Sequence, residues 1–251
     1  MNVFIPSFFK HKRSSNLVRI GRSYDGGYTI TVNDIKKTGH LISLGIGDDW
    51  SFESEFNLIN EISISAYDGS VSKRIFLKRI RRSILRPDKP TNIIKSIKTY
   101  HSYNSFFQDK IKHIEKFVGL DYNGFITMDN VFKETDSNNI FLKIDIEGGE
   151  YRILDSIIEN QDRLIGMVME FHDCDLHLEL IEKFLSKFSL SLVNIHANNC
   201  GQIEYRTSLP LVLELSFSSQ AGESNEFCSY PNPLDQPNNP FEDEIILNFS
   251  D

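Results

Sequence analysis

Two short segments of the chain place ionisable side chains at alternate positions at the end of apolar runs. In FLKIDIEGGE these are Lys143, Asp145 and Glu147, and in MVMEFHD they are Glu170 and His172. Alternate residues of a strand point to one face, and charged groups there are costly unless they bind a partner. We therefore interpret Lys143, Asp145, Glu147 and His172 as candidate catalytic residues. The structural alternative is an ion pair between Lys143 and Asp145.

Two kinds of chemistry suit these side chains. Carboxylates and an imidazole on neighbouring strand ends are typical ligands of Mg²⁺ or Mn²⁺, and Asp145, Glu170 and His172 are the candidate set. The alternative is a site without a metal, in which His172 or Asp145 acts as a general base. The sequence does not decide between these two interpretations.

An apolar run also ends in two glycines at LISLGIGDD, where Gly45 and Gly47 are followed by Asp48 and Asp49. Glycines at the end of a strand allow a tight turn and a close approach of the backbone to a ligand. A dinucleotide site would need a third glycine and a helix N-terminus without negative charge. A cationic ligand without phosphate, such as S-adenosylmethionine, fits this turn better. A plain connection between strand and helix is the structural alternative.

Two further segments are candidates for contacts with the same ligand. Asp68, before Gly69, ends a predicted strand about 20 residues after the glycine turn, where an acid accepts hydrogen bonds from ribose hydroxyls. An Asp-Gly turn would also explain this pair. In GRSYDGGY, the residues Gly26, Gly27 and Tyr28 fit a lid over the ligand, and an ordinary hairpin turn is the alternative.

Apolar periodicity predicts alternating strands and helices. The predicted strands are 41–44, 62–67, 114–118, 141–144, 167–171, 190–195 and 211–217, and the predicted helices are 51–59, 127–132, 150–160 and 176–188. This alternation is typical of a parallel sheet with helices on both faces, and the short link between the last two strands favours an antiparallel pair. The expected fold class is α/β, a Rossmann-like, mostly parallel seven-stranded sheet with one antiparallel strand, as in class I methyltransferases.

The size and composition of the chain fit one large domain. Of its 251 residues, 40% are hydrophobic and 25% are charged, as is usual for a globular protein. We divide it into an N-terminal segment with the candidate lid (1–40), a methyltransferase domain (41–217) and a C-terminal tail (218–251). The tail is rich in Pro, Asn and acids, so we expect it to be extended or partly disordered, without a core. Cys174, Cys200 and Cys228 lack metal-ligand spacing and are interpreted as free thiols.

The net charge of −8 argues against a general nucleic-acid-binding protein. No apolar stretch approaches the roughly 20 residues of a membrane span, and no secretory signal is evident, so we expect a cytoplasmic location. Residues 73–98 are exceptional, because they hold ten Lys or Arg and one acid, Asp88. An amphipathic helix with Ile75, Ile80 and Ile84 facing inward would explain them. The alternative is an electrostatic binding site for a phosphorylated substrate.

The segment LKIDIEGGEYRIL resembles the LKIDVEGAE segment of the FkbM-type S-adenosylmethionine-dependent methyltransferases. DGGY, LGIGDDWSFE and AYDGS resemble upstream motifs of that group, so the resemblance extends from about residue 21 to 217. It assigns these positions: Gly45, Gly47 and Asp48 to the first cofactor motif, Asp68 to the ribose acid, and Lys143, Asp145 and Glu147 to the block on the fourth strand. YDGS stands where the family commonly has an EP pair, so ribose contacts would rest on the shorter Asp68.

The resemblance implies a class I methyltransferase with S-adenosylmethionine as the donor and transfer to an oxygen. We expect an O-methyltransferase acting on a sugar hydroxyl, in a nucleotide-linked sugar or polysaccharide precursor. The partner is then a small molecule, and the sequence leaves homo-oligomerisation open. The rival enzyme is a nicotinamide-dependent oxidoreductase, which the acidic turn disfavours. The rival of another class is a polyanion-binding protein that uses residues 73–98.

Overall fold

A computed structural model describes residues 1–85, 90–220 and 230–250. The elements in chain order are β1 (Asn2–Ile5), β2 (Leu17–Gly21), β3 (Gly27–Thr31), α1 (Val32–Lys37), β4 (His40–Leu44), α2 (Ser51–Ile59), β5 (Ser63–Tyr67), α3 (Lys73–Ile84), α4 (Pro90–Phe106), β6 (Ile111–Ile114), β7 (Phe117–Val118), β8 (Phe125–Ile126), α5 (Met128–Lys133), β9 (Ile140–Ile144), α6 (Leu154–Glu159), β10 (Leu164–Phe171), α7 (Cys174–Lys187), β11 (Ser191–Ala197), β12 (Leu213–Ser218) and β13 (Ile246–Phe249). Short 3-10 turns cover Ser7–Phe9, Glu150–Arg152 and Gln161–Arg163.

Seven strands form one sheet, in the order β11-β12-β10-β9-β4-β5-β6. Strand β12 is antiparallel to both of its neighbours. The other four pairs are parallel. The predicted fold class, a mostly parallel seven-stranded sheet with one antiparallel strand, is therefore confirmed. Because the chain winds outward from β4 in one direction and from β9 in the other, these two strands mark the switch point, beside which open α/β sheets bind ligands.

The central strands are buried between two apolar layers. All five residues of β9 are buried, as are four of the five in β4. One layer contains Val131, Phe132 and Ile157 from helices α5 and α6. The other contains Phe52 and Phe56 from α2. Parallel strands covered on both faces lack a polar side, which explains why β4 and β9 are nearly continuous apolar runs.

The predicted elements agree best with the structure around the central strands. Helix α2 begins and ends at the predicted residues, Ser51–Ile59. The predicted strand 114–118 is wrong, because the chain turns after Ile114. The Lys116 backbone amide donates a hydrogen bond to the Ile114 carbonyl oxygen at 2.7 Å, which closes this turn. Strand β6 thus ends there, and β7 pairs with β8 instead. Helix α4 has no counterpart among the predicted helices.

In the basic segment 73–98, residues 73–84 belong to α3 and residues 90–98 to α4, and residues 86–89, with the acid Asp88, lie outside the described residues. The prediction of which residues face inward is wrong for Ile84, which is 58% exposed. Ile75 and Ile80 are half-buried, and Phe76 is the fully buried residue of α3. Phe76 packs against Trp50 and Tyr103, so an aromatic cluster attaches this helix to α4 and to the start of α2.

The C-terminal segment 230–250 packs on the domain, so the expectation that the tail contributes no core is wrong there. Its strand β13 pairs in parallel with β1, and Tyr230, Ile245 and Leu247 are buried. The Asp235 carboxylate accepts hydrogen bonds from Thr29 Oγ1 at 2.7 Å and from Asn194 Nδ2 at 3.0 Å. The low fraction of apolar residues in this segment predicted no core, but these few buried side chains and hydrogen bonds are enough to hold it on the domain.

Two smaller expectations concern cysteines and membranes. Cys174, which is buried, and Cys200, which is exposed, are free thiols, and Cys228 lies outside the described residues. Among the residues that the structure describes, no helix combines the length and the apolar character needed to cross a bilayer.

Candidate active site

A cavity of about 350 Å³ lies where strands β4, β5 and β9 end. It is lined by Arg22, Asp25, Gly26, Tyr28, Gly45, Ile46, Gly47, Asp48, Asp49, Phe52, Glu53, Asp68, Ser70, Lys143, Asp145 and Glu147. The structure thus brings together most of the predicted cofactor and catalytic residues. His172, Glu170, Gly27 and Gly69 are absent from the lining. Seven carboxylates against one Arg and one Lys make this cavity suitable for a cationic ligand.

The glycine turn has the backbone conformation that the sequence predicts. Gly45 and Gly47 have φ of +79° and +51°, in the left-handed region that favours glycine. A Cβ on Gly45 would lie 1.7 Å from the Asp145 carbonyl oxygen, whereas a Cβ on Gly47 would meet open space. The close approach at Gly45 is therefore between the ends of β4 and β9. Because Gly45 has no side chain, the ends of these two strands can contact each other.

Asp68 lies at the predicted place, but its carboxylate holds the glycine turn. Oδ2 accepts hydrogen bonds from the backbone amides of Ile46 at 3.0 Å and Gly47 at 2.8 Å, and Oδ1 accepts one from the Ser70 amide at 2.6 Å. Burial alone would raise the pKa of Asp68, but these hydrogen bonds outweigh it and the pKa lies below its usual value. Asp68 therefore orders the turn as an anion, besides any contact with ribose.

The following Gly69 has a packing role. A Cβ at this position would lie 2.5 Å from the Phe117 ring, which covers the residue. Gly69 is thus needed for the contact with β7, and it does not line the cavity.

The segment GRSYDGGY is a hairpin between β2 and β3 whose tip forms one wall of the cavity. Gly26 and Tyr28 line the cavity, whereas Gly27 serves the tight turn, since a Cβ there would lie 2.3 Å from the Arg22 carbonyl oxygen. The Tyr28 hydroxyl lies 3.1 Å from Glu170 Oε2 and 3.3 Å from Asp145 Oδ2. Burial and these two carboxylates raise the pKa of Tyr28 well above its usual value. Tyr28 therefore acts as a hydrogen-bond donor.

Lys143 and Asp145 form the floor of the cavity. The Lys143 ammonium is buried, donates to the Gly45 carbonyl and lies 3.8 Å from Asp145 Oδ2. The Asp145 side chain is 29% exposed and Oδ1 accepts no hydrogen bond from the described residues. The predicted ion pair is therefore present, and it leaves one Asp145 oxygen open to a ligand. The Glu147 side chain, 85% exposed, stands at the rim.

His172 is held outside the cavity by carboxylates. Its Nδ1 lies 3.1 Å from Glu150 Oε1, and its Nε2 lies 3.5 Å from Glu147 Oε2 and 3.8 Å from Glu170 Oε1. Burial would lower the pKa of His172, but the hydrogen bond and charge of Glu150, together with Glu170 and Asp145, raise it above its usual value. His172 does not line the cavity, so its ring is better placed to orient neighbouring groups than to take a proton from a ligand there.

Glu170 is a buried member of a hydrogen-bond network. Asn198 Nδ2 donates to its Oε1 at 2.8 Å, and the Tyr28 hydroxyl lies beside its Oε2. Burial, Glu214 and Asp145 raise the pKa of Glu170 above its usual value. Both of its oxygens already have hydrogen-bond donors, and Glu170 is not in the group of described residues whose ligand atoms lie close enough to share a cation. The predicted metal set that includes Glu170 is therefore not favoured by this geometry.

A different set of three ligands is close enough to share a cation. Among the described residues, Asp145, Glu147 and His172 each offer a ligand atom, and these atoms lie within 4.8 Å of one another. Two carboxylates and an imidazole suit Mn²⁺ better than Mg²⁺, which rarely accepts nitrogen. Glu147 thus takes the place that the sequence interpretation gave to Glu170.

Two buried acids of the site were not among the predicted residues. Glu150 is fully buried and its Oε1 accepts from the amides of Ile146 and Gly148, both at 3.2 Å, while it also holds His172. Glu53 lines the cavity, accepts from the Ser43 hydroxyl and has its pKa raised by burial. Both stand in the first turn of a helix, where an acid is ordinarily explained by the helix dipole. Of the two, only Glu150 could have been found from the sequence, because it is the last residue of the motif LKIDIEGGE.

Comparisons with known proteins identify similar folds only. No protein-family model matches the chain, and a search of curated proteins found no match. Solved structures similar to this chain include the "METTL16 MTase domain" (14% identity, 75% of this chain and 63% of that one, TM-score 0.41). They also include the "Human methyltransferase 10 domain containing protein" (14% identity, 75% and 79% covered, TM-score 0.40). A third is precorrin-6y C5,15-methyltransferase from Geobacter metallireducens GS-15 (13% identity, 75% and 85% covered, TM-score 0.40).

The chain spans less than two thirds of the length of the METTL16 domain. The resemblance to the FkbM-type family stays a prediction from the sequence motifs.

Proposed function

We propose that this chain is an S-adenosylmethionine-dependent O-methyltransferase that acts on a hydroxyl of a sugar, in a nucleotide-linked sugar or polysaccharide precursor. The observation that carries the proposal is the acidic cavity at the switch point, where the glycine turn meets Asp68, Lys143 and Asp145. A sulfonium cation is attracted by carboxylates, and a pyrophosphate is repelled by them. The cavity therefore favours S-adenosylmethionine over a nicotinamide dinucleotide.

Asp145 is the residue that we assign to proton removal. The acceptor oxygen forms a bond to the methyl carbon while the carbon–sulfur bond breaks, and sulfur keeps that electron pair. The hydroxyl proton passes to Asp145, whose Oδ1 is open while Lys143 and Tyr28 lie beside Oδ2. Holding three atoms in line removes much of the entropic barrier of a bimolecular reaction.

His172 and Glu150 then act as positioning residues. Glu150 binds the amides of the loop after β9 and orients the His172 ring, whose Nε2 faces Glu147. If a divalent cation binds, Asp145, Glu147 and His172 would hold it, and it would lower the pKa of the acceptor hydroxyl. The donor set fits such an ion, because it combines two carboxylates with one imidazole.

Cofactor binding tests the proposal most directly. We expect the purified full-length chain to bind S-adenosylmethionine in isothermal titration calorimetry and to show no heat with NADH at the same concentrations. A screen of nucleotide-linked sugars with methyl-labelled S-adenosylmethionine should then reveal the acceptor. Binding of NADH without S-adenosylmethionine would overturn the proposal in favour of an oxidoreductase.

Manganese binding is a separate prediction. We expect the metal-stripped chain to bind Mn²⁺, and Asp145→Asn and His172→Ala each to weaken this binding at least about tenfold, since each removes one of three ligands. Titration of Mn²⁺ followed by electron paramagnetic resonance measures this. Asp136→Asn, in an exposed loop, is the control and should bind Mn²⁺ like the wild type. If the wild-type chain binds no Mn²⁺ at millimolar concentration, the cation is excluded and Asp145 acts alone.

A further inference from the structure

The acidic cavity presents a problem for a phosphorylated acceptor. Seven carboxylates line it against two cations, so a diphosphate placed there would be repelled. A nucleotide-linked sugar could put its sugar hydroxyl beside Asp145 only if its phosphates lie elsewhere. An acceptor of the proposed kind therefore calls for a second, basic site.

A second depression, here called the basic hollow, lies between helices α3 and α4. Its volume is about 720 Å³, within the range of small-molecule sites. The polar lining residues are Arg79, Arg82, Ser83, Asn92, Lys95 and Ser96, and no acidic residue lines it within the part of the chain that the structure describes. Guanidinium, ammonium, hydroxyl and amide groups are all donors to phosphate oxygens.

Two of these cations have no partner among the residues that the structure describes. Arg82 and Lys95 are exposed and make no ion pair or side-chain hydrogen bond with residues 1–85, 90–220 or 230–250. The hydroxyls of Ser83 and Ser96 lie 3.1 Å apart, so both face the same space. Segment 73–98 concentrates ten of the chain's 27 Lys and Arg residues and one of its 35 acids. Such a local excess in an acidic protein attracts anions to this one place.

An ion pair lies between the basic hollow and the acidic cavity. Arg79 lines the hollow, and its guanidinium donates to Asp48 Oδ2 at 3.0 Å. Asp48 lines the catalytic cavity. A ligand that spans this pair would place negative charge on the basic side and neutral hydroxyls on the acidic side.

We propose that the basic hollow between α3 and α4 binds the phosphate or diphosphate group of the acceptor. This inference rests on the proposed function, because it assigns the acceptor to the phosphorylated sugars. Arg82 and Lys95 supply the charge and Arg79 connects the two sites.

Inorganic pyrophosphate is the probe that tests the basic hollow. We expect the full-length chain to bind it in calorimetry at low ionic strength, and the double variant Arg82→Gln/Lys95→Gln to bind it at least about tenfold more weakly. The matched control is Lys183→Gln/Lys187→Gln, which removes two exposed cations from α7. This control should bind pyrophosphate like the wild type, and both double variants should keep the wild-type affinity for S-adenosylmethionine.

Three results would overturn the inference. The first is wild-type affinity for pyrophosphate in the Arg82→Gln/Lys95→Gln variant, and the second is no binding by the wild type at about 10 mM, a concentration that covers weak sites. In a parallel arm, vesicles of neutral lipid with and without phosphatidylserine are sedimented with the protein. Binding to the anionic vesicles without binding to pyrophosphate assigns segment 73–98 to a membrane surface and also overturns the inference. If the wild-type chain does not bind S-adenosylmethionine, the proposed function itself is refuted.

Discussion

Replacement of Asp145 by Asn is expected to lower the rate of methyl transfer by about 10²- to 10⁴-fold, the usual contribution of a general base. The amide keeps the size of the side chain but cannot take the hydroxyl proton. Lys143 retains its hydrogen bond to the Gly45 carbonyl, so the glycine turn should persist. The affinity for S-adenosylmethionine should change by less than about threefold, because six other carboxylates still line the cavity.

The measurement uses labelled S-adenosylmethionine and the acceptor found in the screen of nucleotide-linked sugars. Asp136→Asn makes the same chemical change in an exposed loop and should keep the wild-type rate. A wild-type rate in Asp145→Asn would remove this residue from the mechanism. A loss of cofactor binding equal to the loss of rate would mean that Asp145 holds the donor instead.

Gly45→Ala is expected to lower the free energy of unfolding by about 3 kcal/mol or more. The added methyl group would lie 1.7 Å from the Asp145 carbonyl oxygen, and the residue would keep a φ of +79°. Overpacking and a left-handed backbone each cost about 1–3 kcal/mol. Relief of the overlap must push apart the ends of β4 and β9, which are paired from His40 to Leu44.

Urea unfolding followed by circular dichroism measures this loss. Gly47→Ala is the matched control, because its φ is +51° and its Cβ would meet open space. It should lose only about 1–2 kcal/mol, the cost of the left-handed backbone alone. Equal losses in the two variants would show that backbone conformation, and not the contact between β4 and β9, makes Gly45 necessary.

The fold class and the general position of the site could be predicted because they depend on local patterns. Apolar runs that end in polar residues predicted where Gly45, Asp68 and Asp145 would fall, since parallel strands end at one edge of the sheet. An amphipathic helix was offered for segment 73–98, but the pairing of two helices, α3 and α4, was missed, as was the anchoring of 230–250. The contacts that stabilise them are few and distant in sequence, such as Phe76 with Tyr103 and β13 with β1.

The roles of individual acids and of His172 could not be predicted. Whether a carboxylate is free depends on which amides reach it, and the Asp68 carboxylate binds amides of the turn 21 and 22 residues earlier. Whether an imidazole is a base depends on the charges around it, and His172 is surrounded by Glu147, Glu150 and Glu170. These neighbours come from two segments of the chain, the loop 147–150 and the end of β10, and their combined effect on a pKa exists only after folding.

The sequence alone thus determined the class of fold and the edge of the sheet at which polar groups gather, because strand length, alternation and glycine turns are local properties. Tertiary structure decided which of these groups line one cavity, which hold the backbone and which keep a proton. It also decided that the basic residues of α3 and α4 border a separate hollow beside an acidic cavity. These roles depend on the distances between side chains from remote segments and on how deeply each is buried, and no local sequence pattern contains that information.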